Sequence, residues 1–157
     1  MHNMLVTVWR HGEAGAAPRD EDRALTERGQ LTVAMAAQQF SRWLTDEGHP
    51  AVDRMFHSPL VRTTQTAQLL EAALGCSSEV CNPLAPGTRI DRPEDYVSQG
   101  DCHLVLVGHQ PFVSQIIWHW LDDDKLDPLL PGGWATLQLQ APLQGGATLV
   151  KARPNIF

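Results

Sequence analysis

Apolar and polar positions change their period several times along the chain, and each change marks an element. Leu5 to Trp9 is a short β-branched and apolar run that stops at Arg10-His11-Gly12, as a buried strand stops at a glycine loop. After a polar, proline-containing stretch, Thr26-Glu27-Arg28 can open a helix. Val33, Ala36, Ala37, Phe40, Trp43 and Leu44 then recur on one helical face, and Gly48 with Pro50 ends it. Met55 to His57 reads as the next strand. Ser58-Pro59 reads as an N-cap followed by proline at the first helical position, with Leu60, Thr64, Ala67, Leu70 and Leu74 as the buried stripe and Gly75 as the stop.

Further on, Glu79 to Cys81 is a short strand. A Pro/Gly loop through Pro83, Pro86 and Gly87 leads to a weak helix from Pro93 to Gln99. His103 to Val107 is continuously apolar beyond its first residue, the pattern of a strand buried on both faces of a parallel sheet. Gly108-His109 follows, then a helix from Pro111 with Val113, Ile116, Ile117, Trp120 and Leu121 on one face. Asp122 to Gly133 is a polar loop, and Ala135–Leu139 and Thr148–Lys151 are closing strands joined through Gly145-Gly146. Strand and helix alternate, which predicts an α/β three-layer sandwich: a mostly parallel central sheet flanked by helices, with right-handed crossovers. No internal repeat or low-complexity tract interrupts the order, so residues 1–157 are expected to form one domain.

Composition narrows the function. At 157 residues with 43% apolar and 19% charged positions, the chain can bury about two thirds of its unfolded surface. The apolar runs fall far short of the ~20 residues of a membrane span, and no charged-then-apolar leader opens the chain, so a soluble cytoplasmic protein is expected. Cys76, Cys81 and Cys102 form no C-x-x-C pair and read as reduced, structural thiols. A net charge of -6 argues against a nucleic-acid partner. Ten of the twelve basic residues are Arg, however, and the guanidinium fork suits bidentate recognition of phosphate or carboxylate, so a local anion site stays open.

In open α/β sheets, ligands bind beyond the carboxyl ends of the strands. Arg10-His11-Gly12, Ser58-Pro59-Leu60-Val61-Arg62 and Gly108-His109 all fall there. Two arginines and two histidines thus meet at one edge, joined by helix amino-termini near Ser58 and Pro111. A transferring phosphoryl group requires such a set: positive donors from several directions and a nucleophile in line. The other histidines, His2, His49, His57, His103 and His119, show no metal-ligand spacing. Asp122-Asp123-Asp124 reads as a solvated loop, and Trp118 and Trp120 as packing. No cysteine precedes an arginine at C-x-x-x-x-x-R distance, and the P-loop, nucleophile-elbow and dinucleotide signatures are missing.

Arg10-His11-Gly12-Glu13, Leu25-Thr26-x-x-Gly29, Ser58-Pro59-x-x-Arg62-x-x-Gln65-Thr66 and Leu106-Val107-Gly108-His109-x-Pro111 together resemble, in the same order, the histidine phosphatase superfamily. The short chain and block spacing look most like its SixA-type phosphohistidine phosphatases. The resemblance runs from about Leu5 to Leu139. It implies a phosphoglycerate-mutase-like fold, His11 as nucleophile, and Arg10, Arg62 and His109 binding the phosphoryl oxygens. It further implies a metal-independent phosphohydrolase with no cofactor that works through a phospho-His11 intermediate. The implied partner is a phosphorylated histidine-containing phosphotransfer or phosphocarrier protein.

The chain departs from the mutase and acid-phosphatase branches between Arg62 and His109, where those relatives are expected to carry a carboxylate general acid, often on an inserted cap. That interval holds Glu71, Glu79, Asp91, Glu94, Asp95 and Asp101 in no recognisable acid motif; Glu13 is the nearest carboxylate to the nucleophile by sequence. A leaving imidazole needs less help from an acid than an alkoxide does, so the departure favours phosphohistidine over a sugar phosphate. A small-molecule phosphomonoesterase of the same superfamily and a non-catalytic phosphate-binding module are the alternatives. Ser58 is expected to act as a helix cap first.

Overall fold

The computed structural model describes residues 4–88, 92–98 and 100–154. A six-stranded sheet has the order β3-β2-β4-β1-β5-β6. The strands are β1 (Met4–Arg10), β2 (Arg54–His57), β3 (Glu79–Val80), β4 (His103–Gly108), β5 (Trp134–Leu139) and β6 (Ala147–Arg153). The four from β3 to β1 are parallel, and β5 and β6 close the other edge as an antiparallel pair. The helices are α1 (Glu27–Asp46), α2 (Val61–Leu74) and α3 (Phe112–Leu121). The predicted α/β architecture with a largely parallel sheet is therefore what the chain forms.

Alternation along β4 defines the layers. Val105 and Val107 point into a core built with Trp9, Phe40, Leu44, Ala67 and Leu70 from β1, α1 and α2. Leu104 and Leu106 point the other way, into a core with Val6, Val8, Ile116, Ile117 and Trp120. Every residue of β4 is buried, as the unbroken apolar run required. Each fully covered aliphatic side chain contributes about 1.5–3 kcal/mol, so these two cores hold the sheet edge rigid enough to carry a site.

Local chemistry sets the helix limits. Thr26 caps α1, its hydroxyl accepting from the Gly29 N–H at 2.9 Å. Gly48 (φ 68°) follows α1, and Gly75 (φ 69°) closes α2 in the left-handed region that favours glycine. Two sequence expectations shift. Helix α2 starts at Val61 with Leu60 as its N-cap, so Pro59 lies before the helix and Ser58 does not cap it. Its buried face is Arg62, Thr63, Thr66, Ala67 and Leu70, while Leu60, Thr64 and Leu74 are only half-buried. The apolar-stripe reading missed this phase because the amino-terminal half of the inner face is polar. The weak helix predicted from Pro93 is a short 3₁₀ turn, Pro93–Tyr96; Gln99, His2 and Asp91 lie outside the described residues.

Candidate active site

Register places the site. Arg10 pairs with Gly108 and His57 with Val107, so β1, β4 and β2 end level and His11, His109 and Ser58 leave the sheet side by side. The loop ends are tied together: His11 N–H donates to the Gly108 carbonyl at 3.1 Å, and Ser58 N–H to the Val107 carbonyl at 3.3 Å. The imidazoles of His11 and His109 stand with their centroids 5.2 Å apart.

Gly12 is required by crowding. A Cβ there would lie 2.6 Å from Cγ2 of Val33 and 3.2 Å from the Gly29 carbonyl oxygen, so the loop packs directly on the first turns of α1. Its N–H donates to Thr66 Oγ1 at 3.1 Å, and that hydroxyl donates to the Arg62 carbonyl at 2.8 Å. Gln65 accepts from the Leu25 N–H at 2.7 Å. Consecutive residues of α2 thus fasten both the His11 loop and the start of α1.

His11 is held as one tautomer. Its Nδ1 lies 2.7 Å from the Gly12 carbonyl, which can only accept, so Nδ1 carries the proton and Nε2 presents its lone pair. Burial pushes the imidazole down to about 4, against the raising effect of the Gly12 bond and with help from the charges of Arg62, Arg10 and Arg23. Neutral His11 is consequently the resting form at pH 7. Burial, followed by the fields of His11 and Arg62, takes His109 to about 3. The Nε2 of His109 is 2.6 Å from Ser58 Oγ, itself 2.6 Å from Thr63 Oγ1. Where Ser58 donates to Nε2, the ring proton sits on Nδ1, which has no partner.

The arginines are anchored but not saturated. Arg10 Nη1 donates to the Leu129 carbonyl at 3.0 Å, and the same oxygen accepts from Gln110 Nε2 at 2.8 Å. Buried Arg62 donates through Nη1 to the Asp20 carbonyl at 2.8 Å and through Nη2 to Asp20 Oδ2 at 3.1 Å. Among the described residues, six buried side-chain polar atoms lack a partner. Three are Trp9 Nε1, Trp120 Nε1 and Tyr96 OH, and the other three are Arg10 Nε, Arg62 Nε and His109 Nδ1. The second three belong to residues that meet at one sheet edge.

All four predicted site residues, Arg10, His11, Arg62 and His109, come together at this edge. Glu13 does not join them: it is exposed and accepts from the Thr26 hydroxyl at 2.8 Å. Ser58 supports His109, the task its expected cap role had hidden. Sequence reasoning missed Asp20, Arg23 and the Leu129 carbonyl. An Asp-x-x-Arg pair ahead of Leu25-Thr26 was the available signal for the first two, and nothing local marks a backbone acceptor over a hundred residues from its donor. Among the described residues, the remaining histidines are occupied elsewhere, His57 by the Ser58 carbonyl, His49 by the Trp43 ring, His103 by the Pro50 carbonyl and His119 by Glu94. Among the described residues, no three His, Cys, Asp or Glu side chains cluster as metal ligands would, and no helix is long and apolar enough to cross a membrane.

Beside His109 an open groove of about 620 Å³ runs between the loop at Pro86–Thr88 and the start of α3 at Phe112 and Gln115. No α-helical insertion covers it among the described residues, since the interval between α2 and β4 holds only β3 and two 3₁₀ turns.

A sequence profile of the histidine phosphatase superfamily (branch 1) matches residues 6–85. An uncharacterized protein of Picosynechococcus sp. is 38% identical over 121 residues, 71% of this chain and 70% of that protein. Among solved structures, the protein histidine phosphatase SixA complexed with tungstate is similar over 96% of this chain and 97% of its own, with a TM-score of 0.80 and 23% identity. SixA of Agrobacterium tumefaciens is similar over the same shares, with a TM-score of 0.78 and 22% identity. The mycobacterial glucosyl-3-phosphoglycerate phosphatase is more distant, at a TM-score of 0.68 and 16% identity over 94% of this chain and 97% of its own. At these identities the structural likenesses establish the fold.

Proposed function

The chain belongs to the histidine phosphatase superfamily (branch 1) and is a phosphatase; from that premise we propose that it hydrolyses phosphohistidine borne on a protein, through a phospho-His11 intermediate. The observation that carries the reading is the state of His11. Its proton is fixed on Nδ1 by the Gly12 carbonyl, its Nε2 lone pair is free at neutral pH, and unpartnered nitrogens of Arg10, Arg62 and His109 belong to the same edge.

In the first step Nε2 of His11 attacks phosphorus, the bond to the leaving imidazole nitrogen breaks, and that nitrogen takes its proton from solvent. Arg10, Arg62 and His109 stabilise the charge on the equatorial oxygens. In the second step water attacks phosphorus, the Nε2–phosphorus bond breaks with its electron pair returning to His11, and phosphate leaves.

The carboxylates between Arg62 and His109 bear on the leaving group. Glu71 is engaged with Ser78, Glu94 with His119, Asp95 with Arg92 and Asp101 with Arg54, so these four are poor proton donors for an alkoxide; Glu79 is exposed on β3, and Asp91 lies outside the described residues. The open groove beside His109 suits a phosphoryl group carried on a histidine-containing phosphotransfer or phosphocarrier protein.

Phosphate release in EDTA from a phosphohistidine protein and from an aryl phosphate, with His11→Ala beside the parent, tests the reading. Preference for phosphohistidine that vanishes in His11→Ala, with inorganic phosphate binding kept within about tenfold, is the expected result. Activity on the aryl phosphate alone would reassign the protein as a small-molecule phosphomonoesterase. Turnover surviving in His11→Ala would overturn the intermediate, and no turnover on either substrate would point to a phosphate-binding module.

A further inference from the structure

A carboxylate sits against the buried cation of the proposed phosphoryl site. Asp20 lies in a 3₁₀ turn, Asp20–Asp22, in the loop between β1 and α1, with its side chain more than half exposed. Its backbone carbonyl and Oδ2 take the two terminal nitrogens of Arg62, and Oδ1 lies 3.3 Å from Arg23 Nη1. Arg23 is in turn tied through Nε to the Gly15 carbonyl at 2.7 Å.

This arrangement divides the Arg62 fork. A guanidinium offers two bidentate faces, one formed by both terminal nitrogens and one by Nε with its neighbouring terminal nitrogen. Asp20 covers the first face. The second includes Nε, which is buried and has no partner, so Asp20 does not take up this face.

The charges around the site give that placement a purpose. The cations whose fields reach His11 are Arg62, Arg10 and Arg23, and both imidazoles are neutral at pH 7. Three positive charges around a doubly charged product would hold it too tightly for turnover. Asp20, whose field reaches His109, reduces the net charge to the two that phosphate matches.

We propose that Asp20 is a positioning and specificity-determining residue of the phosphoryl site: it fixes the end of the Arg62 guanidinium and offsets one of three arginine charges, so that phosphate is released instead of trapped. The inference rests on the phosphatase reading above. It concerns anion affinity, which can be measured without turnover.

Inorganic phosphate is titrated by calorimetry into the full chain, Asp20→Asn, Asp20→Glu and the control Asp22→Asn. Among the described residues the Asp22 carboxylate pairs with Arg19, at 3.9 Å, so its loss changes net charge equally without touching Arg62. Asp20→Asn keeps an oxygen that can accept from Arg62 while removing the charge. The expected result is phosphate binding tightened roughly five- to tenfold, the size expected for one charge a few ångströms from an anion in a half-solvated site. Asp20→Glu should return toward the parent, and Asp22→Asn should stay within about twofold of it. With a phosphohistidine substrate, Asp20→Asn should lower kcat and deepen phosphate inhibition while kcat/KM holds or rises.

Unchanged or weaker phosphate binding in Asp20→Asn, equal tightening in Asp22→Asn, or no measurable binding in parent and variant alike would each overturn the proposal. Tightening specific to Asp20→Asn in a protein that does not hydrolyse phosphohistidine would support it while removing that substrate reading. The converse, His11-dependent turnover with phosphate affinity unmoved by the substitution, would remove the Asp20 role alone.

Discussion

His103 and His109 bracket the same strand, six residues apart, and both are buried imidazoles held well below their ordinary range. At the amino end of β4, His103 is complete. Its Nε2 is 2.7 Å from Thr7 Oγ1, which continues at 2.7 Å to Thr136, and its Nδ1 donates to the Pro50 carbonyl at 3.0 Å. At the carboxyl end, His109 has one ring nitrogen on Ser58 and the other without a partner, amid arginines that also keep a free buried nitrogen. Burial and low basicity are common to the two, so neither marks a site. What separates them is whether the polar groups are satisfied by the protein itself. His103 closes its network within the protein, whereas His109 keeps a ring nitrogen open beside two arginines that do the same.

The largest expected effect lies at the open end. Replacing Arg62 with Ala removes a preorganised donor and should cost about 2–4 kcal/mol of transition-state stabilisation, read as a fall in kcat/KM. Anion binding should weaken with it. If only the unfolding midpoint dropped, with kcat/KM intact, Arg62 would belong with His103 as a structural group and the contrast would fail. At the closed end the loss moves from activity to stability. His103→Leu leaves the Pro50 carbonyl unpaired and should destabilise folding by about 1–3 kcal/mol in a denaturant titration, with kcat/KM within about twofold of the parent. A large activity loss at full stability would show that the two ends of β4 are not independent.

How far the sequence discloses this contrast depends on the range of the interaction. Strand β4, helix α1 and helix α3 were legible because apolar periodicity is local, and the three blocks at strand ends placed Arg10, His11, Arg62 and His109 on one edge once parallel strands were assumed. Helix α2 was misphased because its inner face carries Arg62, Thr63 and Thr66 toward the site, a polar stretch that a search for apolar stripes rejects. Ser58 followed by proline looks like a cap in one dimension, and only the level ends of β2 and β4 bring its hydroxyl to His109. The grip of Asp20 on Arg62 spans 42 residues and that of Leu129 on Arg10 spans 119, with no periodic signal between. The order of the sheet, with β4 inserted between β2 and β1, was likewise beyond the alternation of elements, which predicted parallel strands without their neighbours.

The smallest effect, and the sharpest on the comparison, is the acid limb. His11 and His103 fall to about 4 and His109 to about 3, against an ordinary value of 6.5. A base whose folded value is depressed binds more protons when unfolded. Folding stability from these three groups is therefore fully present above about pH 6.5 and is lost as pH falls toward 4. On the proposed mechanism, activity follows the protonation of the site pair. With His11 neutral far below pH 6.5, kcat/KM should stay level through the window in which stability declines, and should fall only near pH 4. His103→Leu divides the two curves: one of three depressed histidines is gone, so the slope of unfolding free energy against pH between 6.5 and 4 should become shallower, while the pH profile of kcat/KM keeps its position. A profile that moved with His103, or a rate that declined already at pH 6.5, would mean that His11 is not the buried neutral imidazole described at the carboxyl end of the sheet.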